Sequence, residues 1–171
     1  MQRPLRPGCR ARARGFTLLE LMAVLALSAI VVLLAVPSLA GAVARHRLQA
    51  AAEQLAHDLA DARFEAAQRG TALHLSFATG AQWCYALALQ AGCDCRAAAP
   101  CQISRVQAGD HPGVRLLHAE DARVDPLPGR STGGDALLQA ADAAPLRVAL
   151  SPLGRPRICA PGGNVRGYPA C

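Results

Sequence analysis

The residues whose types could do chemistry are seven cysteines, five histidines, a set of arginines near the C-terminus and one carboxylate, Glu20, at the head of an apolar run. Cys93, Cys95 and Cys101 could offer thiolates to a metal, but Cys-x-Cys lacks the two-residue gap that zinc sites and redox dithiols use. His46, His57, His74, His111 and His118 stand without ligand spacing and without a serine or cysteine partner motif. The chain carries no phosphate loop, zinc-protease motif or nucleophile elbow. Catalysis, a bound metal and a cofactor are therefore not expected. Arg147, Arg155, Arg157 and Arg166 place four cations and no acid in the last 25 residues. A guanidinium keeps its charge at any ordinary pH and can reach two phosphate oxygens at once, so the chemistry indicated is polyanion binding. Tyr168 is the one aromatic in this stretch, so base stacking and sequence preference should be small.

These groups depend on the elements that hold them. A chain of 171 residues that is 52% hydrophobic and 18% charged is not disordered, and with 4% aromatics its core must be aliphatic. All 18 basic residues are arginine and the net charge is +6. Residues 1–15 carry +5, residues 16–69 carry −1, residues 70–146 carry −2 and residues 147–171 carry +4, so both ends are basic and the middle is not. From Leu21 to Ala44 the chain runs 24 residues without a charge, about 36 Å as a helix and enough to cross a hydrocarbon layer of about 30 Å. Positive charge just before this run predicts a cytoplasmic N-terminus and an exported remainder. The run continues into an amphipathic helix without an ordinary secretory cleavage signal, so the apolar helix should be kept. Glu20 then needs a partner, because a carboxylate costs up to about 2.5–3.5 kcal/mol at the centre of a membrane helix.

Pro37 predicts a kink or a locally melted turn, with Gly41 adding slack. Beyond it Leu48, Ala52, Leu55, Leu59, Ala62 and Ala66 recur at alternating spacings of four and three, an apolar stripe that should pack on a sheet. The helix is expected from about Phe16 to Arg69, ended by Gly70. Alternation then predicts strands at Thr71–Phe77 and Trp83–Leu89, with further short strands at Ile103–Val106, Val114–His118, Leu146–Leu150 and Arg157–Ala160. Asp125–Asp135, with two prolines and three glycines, reads as an exposed loop, and Ala136–Ala144 is ambiguous between helix and strand. One long helix followed by six or seven short strands is an α+β fold with the helix laid on antiparallel sheet.

Arg14-Gly15-Phe16-Thr17-Leu18-Leu19-Glu20-Leu21 resembles the prepilin motif of type IV pilins and type II secretion pseudopilins. The resemblance implies a leader at 1–15 removed by prepilin peptidase after Gly15 and N-methylation of Phe16. It also implies that Glu20 meets the N-terminal amine of a neighbouring subunit, which would offset its burial. It implies a transmembrane and assembly half of the helix at 16–44 and an exported pilin domain at 45–171. The chain would be anchored by one pass in the inner membrane with its C-terminal domain in the periplasm, then assembled with other subunits into a pilus or pseudopilus. The segment Asp61–Gly70 leading into a strand resembles the GspH/FimT branch.

Loss of the leader removes Cys9 and leaves Cys84, Cys93, Cys95, Cys101, Cys159 and Cys171, an even number in a region expected to meet an oxidising compartment. Three disulfides are expected among fifteen pairings. Proximity favours Cys159 with Cys171, and two bonds among Cys84, Cys93, Cys95 and Cys101. Ser151-Pro152-Leu153-Gly154 suits a turn. Gly154-Arg155-Pro156-Arg157 is similar to a Gly-Arg-x-Arg motif of FimT-type minor pilins, in which this region binds DNA during natural transformation. That likeness implies that Arg155 and Arg157 contact phosphates, with Arg166 and Arg147 as helpers and a Cys159–Cys171 loop holding Arg166 beside them. The alternative expectation is a GspH-type pseudopilin of a type II secretion system, or a purely structural priming subunit, with no DNA role.

Overall fold

The structure is a computed structural model that describes residues 15–141, 143–163 and 165–171; the leader expected before Gly15 lies outside the described residues. The chain divides into two compact units, one ending at Ser38 and the other running Leu39–Cys171. A single helix, α1 (Leu18–Arg69), is assigned without a break. Of the kink or locally melted turn expected at Pro37, the melted turn does not form, because a proline removes one helical hydrogen bond without preventing its neighbours from making theirs. The helix starts two residues later than expected because Thr17 takes the cap position. Its hydroxyl accepts the Glu20 backbone N–H at 3.2 Å, and its carbonyl accepts that of Leu21 at 3.2 Å. Thr17 and Glu20 have the spacing of a capping box, and a carboxylate in the first turn suits the helix dipole. In the first unit Leu21, Leu25, Leu27, Val31 and Leu34 are all more than half exposed. This part of α1 is long and apolar enough to cross a membrane.

The second unit is built by the predicted stripe. Leu48, Ala52, Leu55, Leu59, Ala62 and Ala66 are all at most 3% exposed, joined by Ala51. They share one core with two four-stranded antiparallel sheets. The first sheet has the order β3 (Gln102–Gln107), β2 (Cys84–Ala88), β1 (Leu73–Ala78), β5 (Ala122–Val124). The second has the order β4 (Val114–Ala119), β6 (Gly134–Ala140), β7 (Leu146–Leu150), β8 (Pro156–Cys159). Most strands fall where alternation places them, and β7 matches residue for residue. In β2 Tyr85 and Leu87 join the main core, but Cys84, Ala86 and Ala88 are buried as well. The reason is the loop after β2, which covers the other face of the sheet: Cys95 packs with Ala78, Cys84 and Ala86. Leu89, expected within this strand, lies past the end of β2 and is 45% exposed.

Two segments depart from expectation. Ala136–Ala144 resolves as strand only to Ala140, and β6 begins two residues earlier because it pairs with both β4 and β7. Gly134 opens it at a close approach: a Cβ there would stand 2.8 Å from the Ala122 Cβ and 2.9 Å from the Glu120 carbonyl oxygen. The segment after β5 is exposed at Leu127–Arg130 and again at Thr132 and Gly133, but not throughout. Asp125 and Ser131 are buried, and the Ser131 hydroxyl accepts the Asp125 N–H at 3.1 Å. Thr132 pins the other side, taking the Arg123 N–H on its hydroxyl at 3.0 Å.

Candidate nucleic-acid interface

The turn carrying Arg155 closes tightly. Gly154 donates its N–H to the Ser151 carbonyl at 2.8 Å, Arg155 donates to the Ser151 hydroxyl at 3.1 Å, and Ser151 donates back to the Arg155 carbonyl at 3.0 Å. Gly154 has φ +71°, which a side chain tolerates poorly, and it is buried. A Cβ there would stand 3.3 Å from Cδ of Arg63 on α1 and 3.4 Å from the Ser131 hydroxyl. The glycine of the Gly-Arg-x-Arg motif is therefore a steric requirement: the turn is pressed onto the helix and onto the loop before β6. Arg155 stands exposed at the end of β8, and Arg157 is exposed on the strand itself, opposite Ala149. Among the described residues neither has a carboxylate within ion-pair distance.

The four arginines expected to act together are only partly brought together. Arg147 shares the outer sheet face with Arg157, but its Nε donates to Asp135 Oδ2 at 2.8 Å, and that hydrogen bond holds its pKa above the ordinary value. Asp135 reaches it as a diagonal cross-strand neighbour, since Arg147 lies opposite Leu137. Its charge is thus largely spent on Asp135. Arg166 is exposed but borders a cavity with Arg45, Leu48 and Gln49 near the start of the second unit's part of α1. The turn contacts α1 at Arg63, about 27 Å further along the helix at about 1.5 Å per residue. The Cys159–Cys171 loop folds toward Glu53, whose carboxylate accepts the Tyr168 hydroxyl at 2.7 Å, and so carries Arg166 away from Arg155. Arg63 takes its place beside the turn, and Arg130 lies one residue from Ser131. Nothing in the sequence signals either, because Arg63 lies 91 residues and Arg130 24 residues before Gly154.

The cysteines pair as Cys84–Cys95, Cys93–Cys101 and Cys159–Cys171. The thiolates of a Cys93, Cys95 and Cys101 metal site are thereby consumed. His118, Glu120 and Asp135 bring one ligand atom each within 4.8 Å of one another at the surface, but Asp135 is already engaged by Arg147. His111 is buried, its Nε2 bonded to Gln54 Oε1 at 2.9 Å and its ring stacked on Trp83; burial lowers its pKa and favours the neutral ring. At the other end of the chain, Gly15, Phe16 and Thr17 precede α1, Phe16 is 82% exposed, and Glu20 lies in the first helical turn with no ion-pair partner among the described residues.

Residues 51–154 match the family described as type II transport protein GspH, and residues 10–36 match the prokaryotic N-terminal methylation motif. Two crystal structures of the type IV minor pilin FimU from Pseudomonas aeruginosa are similar in fold. One is 18% identical with a TM-score of 0.51, over 67% of this chain and 89% of FimU. The other is 18% identical with a TM-score of 0.48, over 65% and 91%. No curated protein matches the sequence. With a methylation motif at the head of an exposed apolar helix, an amphipathic continuation buried on two antiparallel sheets, and a match over most of the second unit, the chain belongs to the GspH family of type IV pilin-like proteins.

Proposed function

We propose that this protein is a minor pilin that binds DNA through the phosphate backbone, with Arg155 and Arg157 as the principal contacts and Arg63 beside them, and that it serves DNA uptake in natural transformation. The observation that carries the reading is the pair of exposed arginines, Arg155 on a turn pinned to α1 and Arg157 on β8 beside it, without acid partners among the described residues. A rigid, preorganised cation pair loses little entropy on meeting phosphates. Three neutralised phosphates predict log affinity falling with log salt at a slope of about −3, with little dependence on sequence. In the oxidised Leu39–Cys171 unit, R155A/R157A should flatten that slope to about −1, whereas R166A should leave affinity within about twofold. Binding with no salt dependence, or binding unchanged in R155A/R157A, would refute the DNA role. The second reading is a type II secretion pseudopilin or structural priming subunit without DNA binding; the family match itself favours it.

In either reading we infer that prepilin peptidase cleaves after Gly15, that Phe16 becomes the methylated N-terminus, and that Glu20 pairs with the terminal amine of an adjacent subunit. The chain would then lie in the inner membrane with residues 45–171 in the periplasm before joining other subunits. The intact mass of the mature protein should correspond to Phe16–Cys171 plus one methyl group. A mass that still includes residues 1–15 would exclude this maturation. E20A should still be processed yet be missing from sheared filaments; normal incorporation would rule out the Glu20 pairing.

A further inference from the structure

A shallow cavity of about 290 Å³ opens at the N-terminal end of the second unit. Its apolar floor is formed by Leu48, Ala143 and Leu146, all at most 7% exposed, and its rim by Arg45, Gln49 and Arg166. The rim thus places two guanidiniums, neither with an ion-pair partner among the described residues, above an apolar surface. The Arg45 side chain is turned back along the helix: a Cβ at Gly41 would stand 3.5 Å from its Nη1. That direction is toward the uncharged run, which ends at Ala44, so Arg45 is the first charge the chain meets on leaving it. A helix that spans a membrane emerges at the depth of the lipid phosphates, where arginine is favoured and where a guanidinium reaching back meets a headgroup.

We propose that this cavity holds the headgroup of an anionic phospholipid, its phosphate between Arg45 and Arg166 and its glycerol side against Leu48, Ala143 and Leu146. The proposal rests on the membrane-anchored reading of the helix. It also gives Arg166 a role separate from the DNA turn. Two cations on one rim favour a lipid with net negative charge over a zwitterionic one, and each arginine near the surface is worth about fivefold in affinity.

The test is native mass spectrometry of the full mature chain in neutral detergent, offered equal amounts of phosphatidylglycerol and phosphatidylcholine. Phosphatidylglycerol should be retained preferentially, and R45A/R166A should weaken its retention by about 30-fold. G41L keeps both charges and improves helix propensity but fills the space under the Arg45 guanidinium, so it should also lose retention with the near-ultraviolet signal of Trp83 intact. R155A/R157A should retain lipid as the native chain does. Equal retention of the two lipids, or retention surviving R45A/R166A, would overturn the proposal. So would displacement by an equal concentration of inorganic phosphate, which would mark a simple anion pocket. Flotation with phosphatidylcholine vesicles separates the two levels: if native chain and R45A/R166A float alike, the anchor stands whatever the lipid result. A native chain that does not float removes the reading beneath the proposal.

Discussion

Replacing Trp83 with alanine should cost the second unit about 3–5 kcal/mol, the range for deleting a fully buried large aromatic. Trp83 is 2% exposed and sits just before β2, in the first sheet. Its indole N–H donates at 2.8 Å to the carbonyl of Val114, the first residue of β4 in the second sheet. Its ring lies nearly parallel to Tyr85 at 6.5 Å and to His111 at 6.2 Å. One side chain therefore ties the two sheets and roofs the helix contacts made by Tyr85 with Asp58 and by His111 with Gln54. The alanine variant loses the packing and leaves a buried carbonyl without its donor. W83F keeps most of the ring surface and should lose about 1–2 kcal/mol. Denaturant melts followed by far-ultraviolet circular dichroism would measure both; a W83A loss below about 1 kcal/mol would show that the two sheets are held together elsewhere.

Reduction of the three disulfides should have the other large effect. Sequence separations of 11, 8 and 12 residues are each worth about 3 kcal/mol in the chain-entropy picture. The first two loops overlap at Cys93–Cys95, so their contributions are not independent, and the total should be about 5–8 kcal/mol. That is comparable with the whole stability of a domain of this size. The effects differ by place. Losing Cys84–Cys95 and Cys93–Cys101 releases the loop that covers the outer face of β2, exposing Ala78 and Ala86. Losing Cys159–Cys171 alone, as in C159S/C171S, should cost about 3 kcal/mol and free the segment carrying Arg166 and Tyr168 from α1, while leaving the Arg155 turn in place. A reduced chain that melts at the same denaturant concentration as the oxidised one would show that the core suffices without these cross-links.

The amphipathic stripe of α1, the positions of most strands and the pairing of Cys159 with Cys171 were legible in the sequence because each depends on neighbours within a few residues. A side chain's face is set by the period of its own helix or strand, and a short loop favours its own closure. The methylation motif was legible for the same reason, being one unbroken run from Arg14 to Leu21. Even the order of one helix and then strands already specified an α+β chain. What the tertiary structure alone decided is where distant segments meet. Four neighbouring cysteines allow more than one pair of short loops, and which forms depends on how the loop lies across β2. The three residues of β5 are too few to show a period and become a strand only because β1 offers its edge. The basic set shows the distinction most clearly: four arginines without an acid look like one patch in the chain. In space Asp135 takes Arg147 across a strand, the C-terminal loop folds Arg166 toward Arg45, and the close approach of Gly154 brings Arg63 to the turn. Charge counted along a sequence ignores partners from other strands, and ion pairing acts through distance in space.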